Sequence, residues 1–297
     1  MTKEVVIISG KGGTGKTSIT AAFAALAENA VLADCDVDAA DLHLVLNPII
    51  RQQFDFSGGK VAAIEPDKCV GCGKCAALCR FDAVTLTGPG NSLIGKTYQI
   101  DPIACEGCKV CVEFCPVDAI TFEPAINGQW FISDTRFGPM VHAKLGIAQE
   151  NSGKLVTLIR RQAKEIAVEQ KRNLIVADGS PGIGCPVIAS ITGADVVLVV
   201  TEPTLSGKHD LQRVAQLTRN FGIKTLICIN KADINPQMCE QITQEAKTMG
   251  LKVVGVIPYD DAFTKAQIMK ATIIEYTGGK IAETIKALWQ QVIDAMA

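Results

Sequence analysis

The sequence predicts an α/β fold: a doubly wound, mostly parallel sheet interrupted by a small inserted α+β domain. Three observations point there. Short apolar runs ending in acidic, glycine or asparagine residues alternate with segments of helical period. A glycine-rich loop joins the first of these runs to the first helix. Most of the 12 cysteines crowd between residues 69 and 115, where the alternation lapses.

The first run, Val5-Val6-Ile7-Ile8, reads as a buried strand, and Ser18 to Leu26 repeats at helical spacing. Between them lies Ser9-Gly10-Lys11-Gly12-Gly13-Thr14-Gly15-Lys16-Thr17. It matches G-x-x-x-x-G-K-[ST] in the strand–loop–helix setting of a P-loop NTPase. Glycines let backbone amides close round a polyphosphate, where a side chain would block the approach. Lys16 is suited to neutralise the β and γ phosphates and Thr17 to ligate Mg²⁺. The helix that follows turns its positive end to the anion. A glycine-rich turn matching by chance is the alternative.

Composition narrows the classes. With 48% hydrophobic and 20% charged residues among 297, a sizeable packed core is available. A net charge of −2 with no basic tract offers no electrostatic support for nucleic-acid binding. No apolar run approaches the roughly 20 residues of a membrane span. The N-terminus enters a strand at once, leaving no space for a signal peptide, so a cytoplasmic protein without membrane insertion is expected. In a reducing compartment, clustered cysteines point to metal rather than disulfides.

Along the chain, Ala30 to Ala33 is a short strand ending in Asp34-Cys35-Asp36-Val37-Asp38, at the crevice where open α/β sheets bind nucleotides. Asp34 reads as strand-end support, and Asp36 as a functional acid or a solvated turn residue. From Val61 the character changes: Cys69-x2-Cys72-x2-Cys75-x3-Cys79 is repeated as Cys105-x2-Cys108-x2-Cys111-x3-Cys115. The repeat extends past the cysteines, pairing Gly71 with Gly107 and Asp82-Ala83-Val84-Thr85 with Asp118-Ala119-Ile120-Thr121. A connecting hairpin with an Asn127-Gly128 turn is expected within residues 126–134. An ordered polar loop is expected over 138–153, with His142 a structural polar residue. Lys154 to Arg172 is helical, and Asn173 to Asp178 is a buried strand ending in an acid suited to hold Mg²⁺ through water. Gly179 to Gly184 follows as a mobile glycine-rich segment. Further strands run from Asp195 to Thr201, Lys224 to Ile229 and Val253 to Ile257. The helix over Ile281 to Met296 is amphipathic but carries Lys286 as its sole base, which favours packing on the sheet over lipid.

Lys11, directly after the first glycine, gives K-G-G-x-G-K-T. Over residues 1–60 and 135–297 the chain resembles the MinD/ParA/nitrogenase-iron-protein class of ATPases with a deviant Walker A loop. The resemblance implies ATP and Mg²⁺ bound by Gly10, Lys11, Gly12, Gly13, Thr14, Gly15, Lys16, Thr17 and Ser18. It implies catalytic roles for Lys11, Lys16, Asp36 and Asp178. Lys11 would cross a dimer to the partner's nucleotide, Asp36 would orient the attacking water from switch I, and residues 179–184 would form switch II. Asn230 would read the purine, with Pro258, Tyr259 and Asp260 closing over adenine. The N-K-x-D resemblance of Asn230 to Asp233 to GTPases raises Asp233 as a guanine reader, but the extra lysine favours ATP.

Residues 61–125 resemble a bacterial ferredoxin with two [4Fe–4S] clusters. In that pattern the fourth cysteine of each run belongs to the other cube. The resemblance thus assigns Cys69, Cys72, Cys75 and Cys115 to one cluster, and Cys105, Cys108, Cys111 and Cys79 to the second. Arg80 departs from it, since proline usually follows the fourth cysteine. Zinc is the alternative metal, and a structural staple the alternative role. Cys185 lies seven residues past Asp178, like a cluster-binding cysteine of the nitrogenase iron protein. It is either a small packing residue or a metal or redox contact at a dimer interface. Cys35, Cys228 and Cys239 read as inert thiols.

Three functions follow as expectations. The first is an ATPase that couples nucleotide state, through a homodimer or a dimer with a paralogue, to electron transfer toward a redox or metalloprotein partner. The second is a carrier or scaffold for metal-centre assembly, and the third a MinD-like positioning ATPase.

Overall fold

The computed structural model describes residues 2–146 and 152–297. Strand β1 (Lys3–Ser9) is buried from Glu4 onward, a Val/Ile run suited to the middle of a parallel sheet. It leads through the glycine loop to helix α1 (Lys16–Leu26), then β2 (Ala30–Asp34), α2 (Leu42–Leu46) and β3 (Ile49–Phe56). The cysteine-rich stretch contains β4 (Gly59–Ile64), α3 (Lys74–Leu78), β5 (Val84–Gly88), β6 (Thr97–Ile100), α4 (Val110–Glu113) and β7 (Ile120–Ala125). After it come β8 (Gly128–Thr135), β9 (Gly138–Leu145), α5 (Ser152–Glu169), β10 (Leu174–Pro181), α6 (Cys185–Ile191), β11 (Val196–Thr201) and α7 (Leu205–Asn220). The chain ends with β12 (Lys224–Ile229), α8 (Pro236–Thr248), β13 (Lys252–Val256), α9 (Ala262–Ile268), α10 (Ile273–Tyr276) and α11 (Lys280–Met296).

The chain divides into two units, one of residues 2–54, 130–144 and 152–297, the other formed chiefly by Asp55–Gln129. In the first, a sheet runs in the order β13-β12-β11-β1-β10-β2-β9-β8-β3. Pairing is parallel from β13 through β9. The register sets Ile7 beside Asp178 and Asp178 beside Asp34, so two acids share the carboxyl edge of the sheet. On one face α1 and α11 pack together, with the Phe23 and Trp289 ring centroids 4.7 Å apart. Ile281, Ile285, Leu288 and Val292 of α11 join that core. Among the described residues no helix is long and apolar enough to cross a membrane. Arg160 of α5 is buried with Glu4, at 2.7 Å, and also donates to the carbonyls of Ala189 and Thr192.

Two expectations change. The stretch 138–153 is not a loop throughout: Gly138–Leu145 is β9, pairing parallel to β2 through Leu32 with Met140 and Ala33 with Val141. Its polar flanks suggested a loop, but Met140, Val141 and Ala143 are apolar enough to be drawn inside. Glu150 and Asn151 lie outside the described residues. Nor do β7 and β8 form a hairpin about Asn127-Gly128, because β7 pairs with β4 while β8 belongs to the large sheet. Asn127 instead works as a buried junction: its Oδ1 accepts from Gly58 N at 2.8 Å and its own N donates to Phe56 O at 2.8 Å. His142 is buried, its Nε2 2.8 Å from Ser133 Oγ, and burial beside His43 depresses its pKa to about 4.

The second unit has two antiparallel pairs, β4 with β7 and β5 with β6. Its core is small: Ala62, Ala83, Ile100 and Ile120, with five of the cysteines packed against them. The internal repeat is visible in the backbone, since Asp82 and Asp118 both take φ 50 and Gly71 and Gly107 both take positive φ.

Candidate nucleotide and cysteine sites

At the carboxyl edge of β1 the chain turns through Gly13 (φ 80) and Gly15 (φ 88) into α1. A side chain on Gly15 would lie 2.4 Å from Asn230 Nδ2, so this position needs both the left-handed backbone and the missing Cβ. The loop, Asp36, Asn230, Pro258, Tyr259 and Asp260 border a cavity of about 490 Å³, a size usual for small-ligand sites.

Its floor is charged. Lys16, almost fully buried, sits 2.8 Å from Asp178 Oδ1 and 3.2 Å from Asp36 Oδ2. Asp178 has no exposure and also accepts from Thr17 Oγ1 and Thr20 Oγ1, each at 2.8 Å. Asp34 Oδ1 accepts from Asp36 N at 3.2 Å, while its buried Oδ2 has no hydrogen-bond partner among the described residues. Burial, then the neighbouring Asp178, pushes the Asp34 carboxyl well above the usual range. Burial raises Asp36 too, against the pull of Lys16. For Lys16 burial acts downward, but Asp178 and Asp36 outweigh it and hold the ammonium charged. Three buried carboxyl groups facing one lysine is an excess of acid, and a divalent cation beside Thr17, Asp36 and Asp178 would relieve it. The residues present fit Mg²⁺.

Lys11 is held within its own chain. Its Nζ lies 2.5 Å from Glu202 and donates to Ser206 Oγ at 3.0 Å. Lys231 reaches the same carboxylate at 3.2 Å and donates to Gly13 O at 2.9 Å. Burial acts to raise Glu202, yet the bonds from Lys11 and Lys231 hold it below its ordinary pKa. Glu202 received no role in the sequence reading; its position just past β11 on the carboxyl edge was the available signal. Asn230 borders the cavity; its Nδ2 donates to Thr14 O at 2.8 Å and its Oδ1 accepts from Lys231 N at 3.0 Å, which ties the loop to the end of β12 and leaves one amide hydrogen of Nδ2 uncommitted by that bond. Asp233 Oδ1 accepts from Tyr259 N at 2.5 Å and so shapes the segment bordering the cavity. Gln267, likewise missed, donates to Ser18 Oγ at 2.8 Å from α9.

In the second unit two cavities collect the cysteines. One is bordered by Cys69, Cys72, Cys75 and Cys115; the other by Cys105, Cys108, Cys111 and Cys79. Each draws three thiols from one run and the fourth from the other. Burial pushes the Cys75 thiol up against backbone hydrogen bonds that pull it down, and burial, then the adjacent Cys105 and Cys108, pushes Cys111 up. Among the described residues no three His, Cys, Asp or Glu side chains converge as the ligands of one metal ion would. The cysteines expected from the sequence to act together therefore share two cavities, without forming a mononuclear centre among the described residues. Cys185 is exposed at the start of α6. Cys35 and Cys228 are fully buried, and burial raises both, Cys228 to about 12, which keeps these thiols protonated.

A family model described as the CobQ/CobB/MinD/ParA nucleotide binding domain matches residues 5–273. An uncharacterised protein of Methanocaldococcus jannaschii is 32% identical over 97% of this chain and 96% of its own length. A second uncharacterised protein of that organism is 27% identical over 78% of this chain and 81% of its own. Among solved structures, the septum site-determining protein MinD of Pyrococcus horikoshii, complexed with Mg-ADP, superposes with a TM-score of 0.57 at 17% identity. That alignment covers 98% of this chain and 96% of the other, and at such identity the likeness is one of fold.

Proposed function

Since this chain belongs to the CobQ/CobB/MinD/ParA nucleotide-binding family and is an ATPase of the MinD/ParA type, we propose that it works as an ATP-driven dimerising switch whose second unit carries two [4Fe–4S] clusters. The buried Lys16–Asp36–Asp178 arrangement carries the nucleotide half of this reading. Without ligand, the lysine is neutralised by the two acids. Phosphates entering the cavity take over Lys16, which frees Asp36 and Asp178 toward the cation held with Thr17. Asp36, at the cavity border, would orient the water that attacks the γ-phosphate. Lys11 leaves Glu202 and reaches the nucleotide of a second copy, offsetting the charge of two ATP molecules brought face to face.

The cluster half rests on the two donor sets. Four thiols, three from one run and one from the other, form the set a [4Fe–4S] cube takes, and the x2-x2-x3 spacing, occurring twice in the sequence, suits a cube better than a single zinc ion. When bound, each cluster supplies one-electron transfer. The chain's own part is to hold the thiols, exclude water through Ala62, Ala83, Ile100 and Ile120, and couple cluster exposure or partner docking to the nucleotide. The family and fold likeness favour the switch, as in a MinD-like positioning ATPase; the electron-transfer role rests on the cysteine sets alone. A dimer of unlike copies is the alternative to a homodimer.

Anaerobic purification with an iron count, then EPR of the dithionite-reduced protein with and without MgATP, tests both halves. About eight irons per chain and a spectrum that shifts with nucleotide are expected. An iron-free chain after reconstitution refutes the clusters, and an unshifted spectrum leaves the positioning switch as the better reading.

A further inference from the structure

The two cysteine cavities are related by the internal repeat, so any difference between them marks where the two halves have departed from each other. Tyr98 borders the cavity of Cys69, Cys72, Cys75 and Cys115. At the same offset that separates Cys69 from Cys105, Ala62 takes its place at the other cavity. Tyr98 also bears on the first cysteine run itself: a Cβ on Gly73 (φ 74) would lie 2.9 Å from its hydroxyl. The repeat-equivalent residue of the second run is Lys109, which keeps a side chain at φ 67. Glycine is required where Tyr98 presses, and not where alanine stands.

The segment that delivers Tyr98 is ordered by its own bonds. Asn91 Nδ2 donates to Pro66 O at 2.7 Å and to Cys69 O at 2.8 Å, while its Oδ1 accepts from the amides of Leu93 and Ile94. Thr97 Oγ1 closes the base of the loop on Pro89 O at 2.6 Å. Ile94, from the segment that carries Tyr98, covers Gly71, where a Cβ would lie 2.8 Å from its Cδ1; at the matching Gly107 the nearest atom is the backbone oxygen of Lys60. Cys69 is 8% exposed, while its counterpart Cys105 is half-buried.

We propose that residues 89–98 form a fixed cap over the site of Cys69, Cys72, Cys75 and Cys115, making it the protected site and leaving that of Cys79, Cys105, Cys108 and Cys111 as the one that exchanges with its surroundings. This rests on the cluster reading above for what is protected, but the cap itself is testable without iron. In the iron-free full chain, iodoacetamide labelling read by mass spectrometry will modify Cys105 faster than Cys69. In the reconstituted chain, iron release to a ferrous chelator will be biphasic, half fast and half slow. Asn91→Ala and Tyr98→Ala will each speed the slow half by roughly tenfold, the factor that about 1.4 kcal/mol represents, and Tyr98→Phe will leave it slow. Equal labelling of the two cysteines, single-phase release from a fully loaded chain, or a slow phase indifferent to both alanine variants overturns the cap. Unequal labelling in a chain that takes up no iron upholds the cap and overturns the cluster reading instead.

Discussion

Glu202 ties Lys11 and Lys231 to their own chain, so Glu202→Gln should strengthen the ATP-bound dimer. The Lys11–Glu202 contact is short, but the two side chains are 34% and 15% exposed, so solvent screens it and each such pair is worth about 0.5–1 kcal/mol. A dimer in which both lysines cross must break two of them, about 1–2 kcal/mol together, which corresponds to a roughly 5- to 30-fold change in association. Glutamine keeps the shape and removes the charge. Sedimentation of the full chain with Mg²⁺ and a non-hydrolysable ATP analogue reads the dissociation constant directly. Tighter association in the variant supports the latch. An unchanged or weaker dimer refutes it, because Glu202 would then contribute nothing to restraining Lys11 or would itself bridge the two copies.

Other consequences are equally open to measurement. Lys16→Ala will abolish ATP hydrolysis while leaving the iron content of the reconstituted chain unchanged; loss of both together would count against separate nucleotide and cysteine sites. Gly15→Ala forces a side chain into a left-handed position against Asn230, a strain of about 1–3 kcal/mol, and calorimetric titration should show ATP binding lost or severely weakened. His142 stays neutral in the fold, with its pKa depressed to about 4 from an ordinary 6.5. The unfolded chain therefore binds the extra proton between those values, and stability falls as pH drops from 6.5 toward 4. Urea unfolding should show a loss of roughly 2 kcal/mol from this group between pH 7 and pH 5, absent in His142→Gln.

The parallel α/β sheet and the phosphate loop were legible in the sequence because their determinants are local. A strand, a glycine loop and a helix are contiguous, and G-x-x-x-x-G-K-[ST] has one chemical use in that setting. The cysteine spacing was legible for the same reason, since three cysteines within seven residues form a motif that needs no fold to be read. Tertiary structure decided what depends on distant partners. Residues 138–145 became a strand only because β2 offered a parallel edge and the core offered room for Met140 and Val141. Asn230 bonds the loop because β12 ends beside Thr14. Lys11 lies against Glu202, and Tyr98 rather than Ala62 faces the first cysteine run, because strands remote in sequence meet there. Local chemistry is written in short spans of residues; which charge neutralises which, and which of two like sites is covered, is set by register and packing.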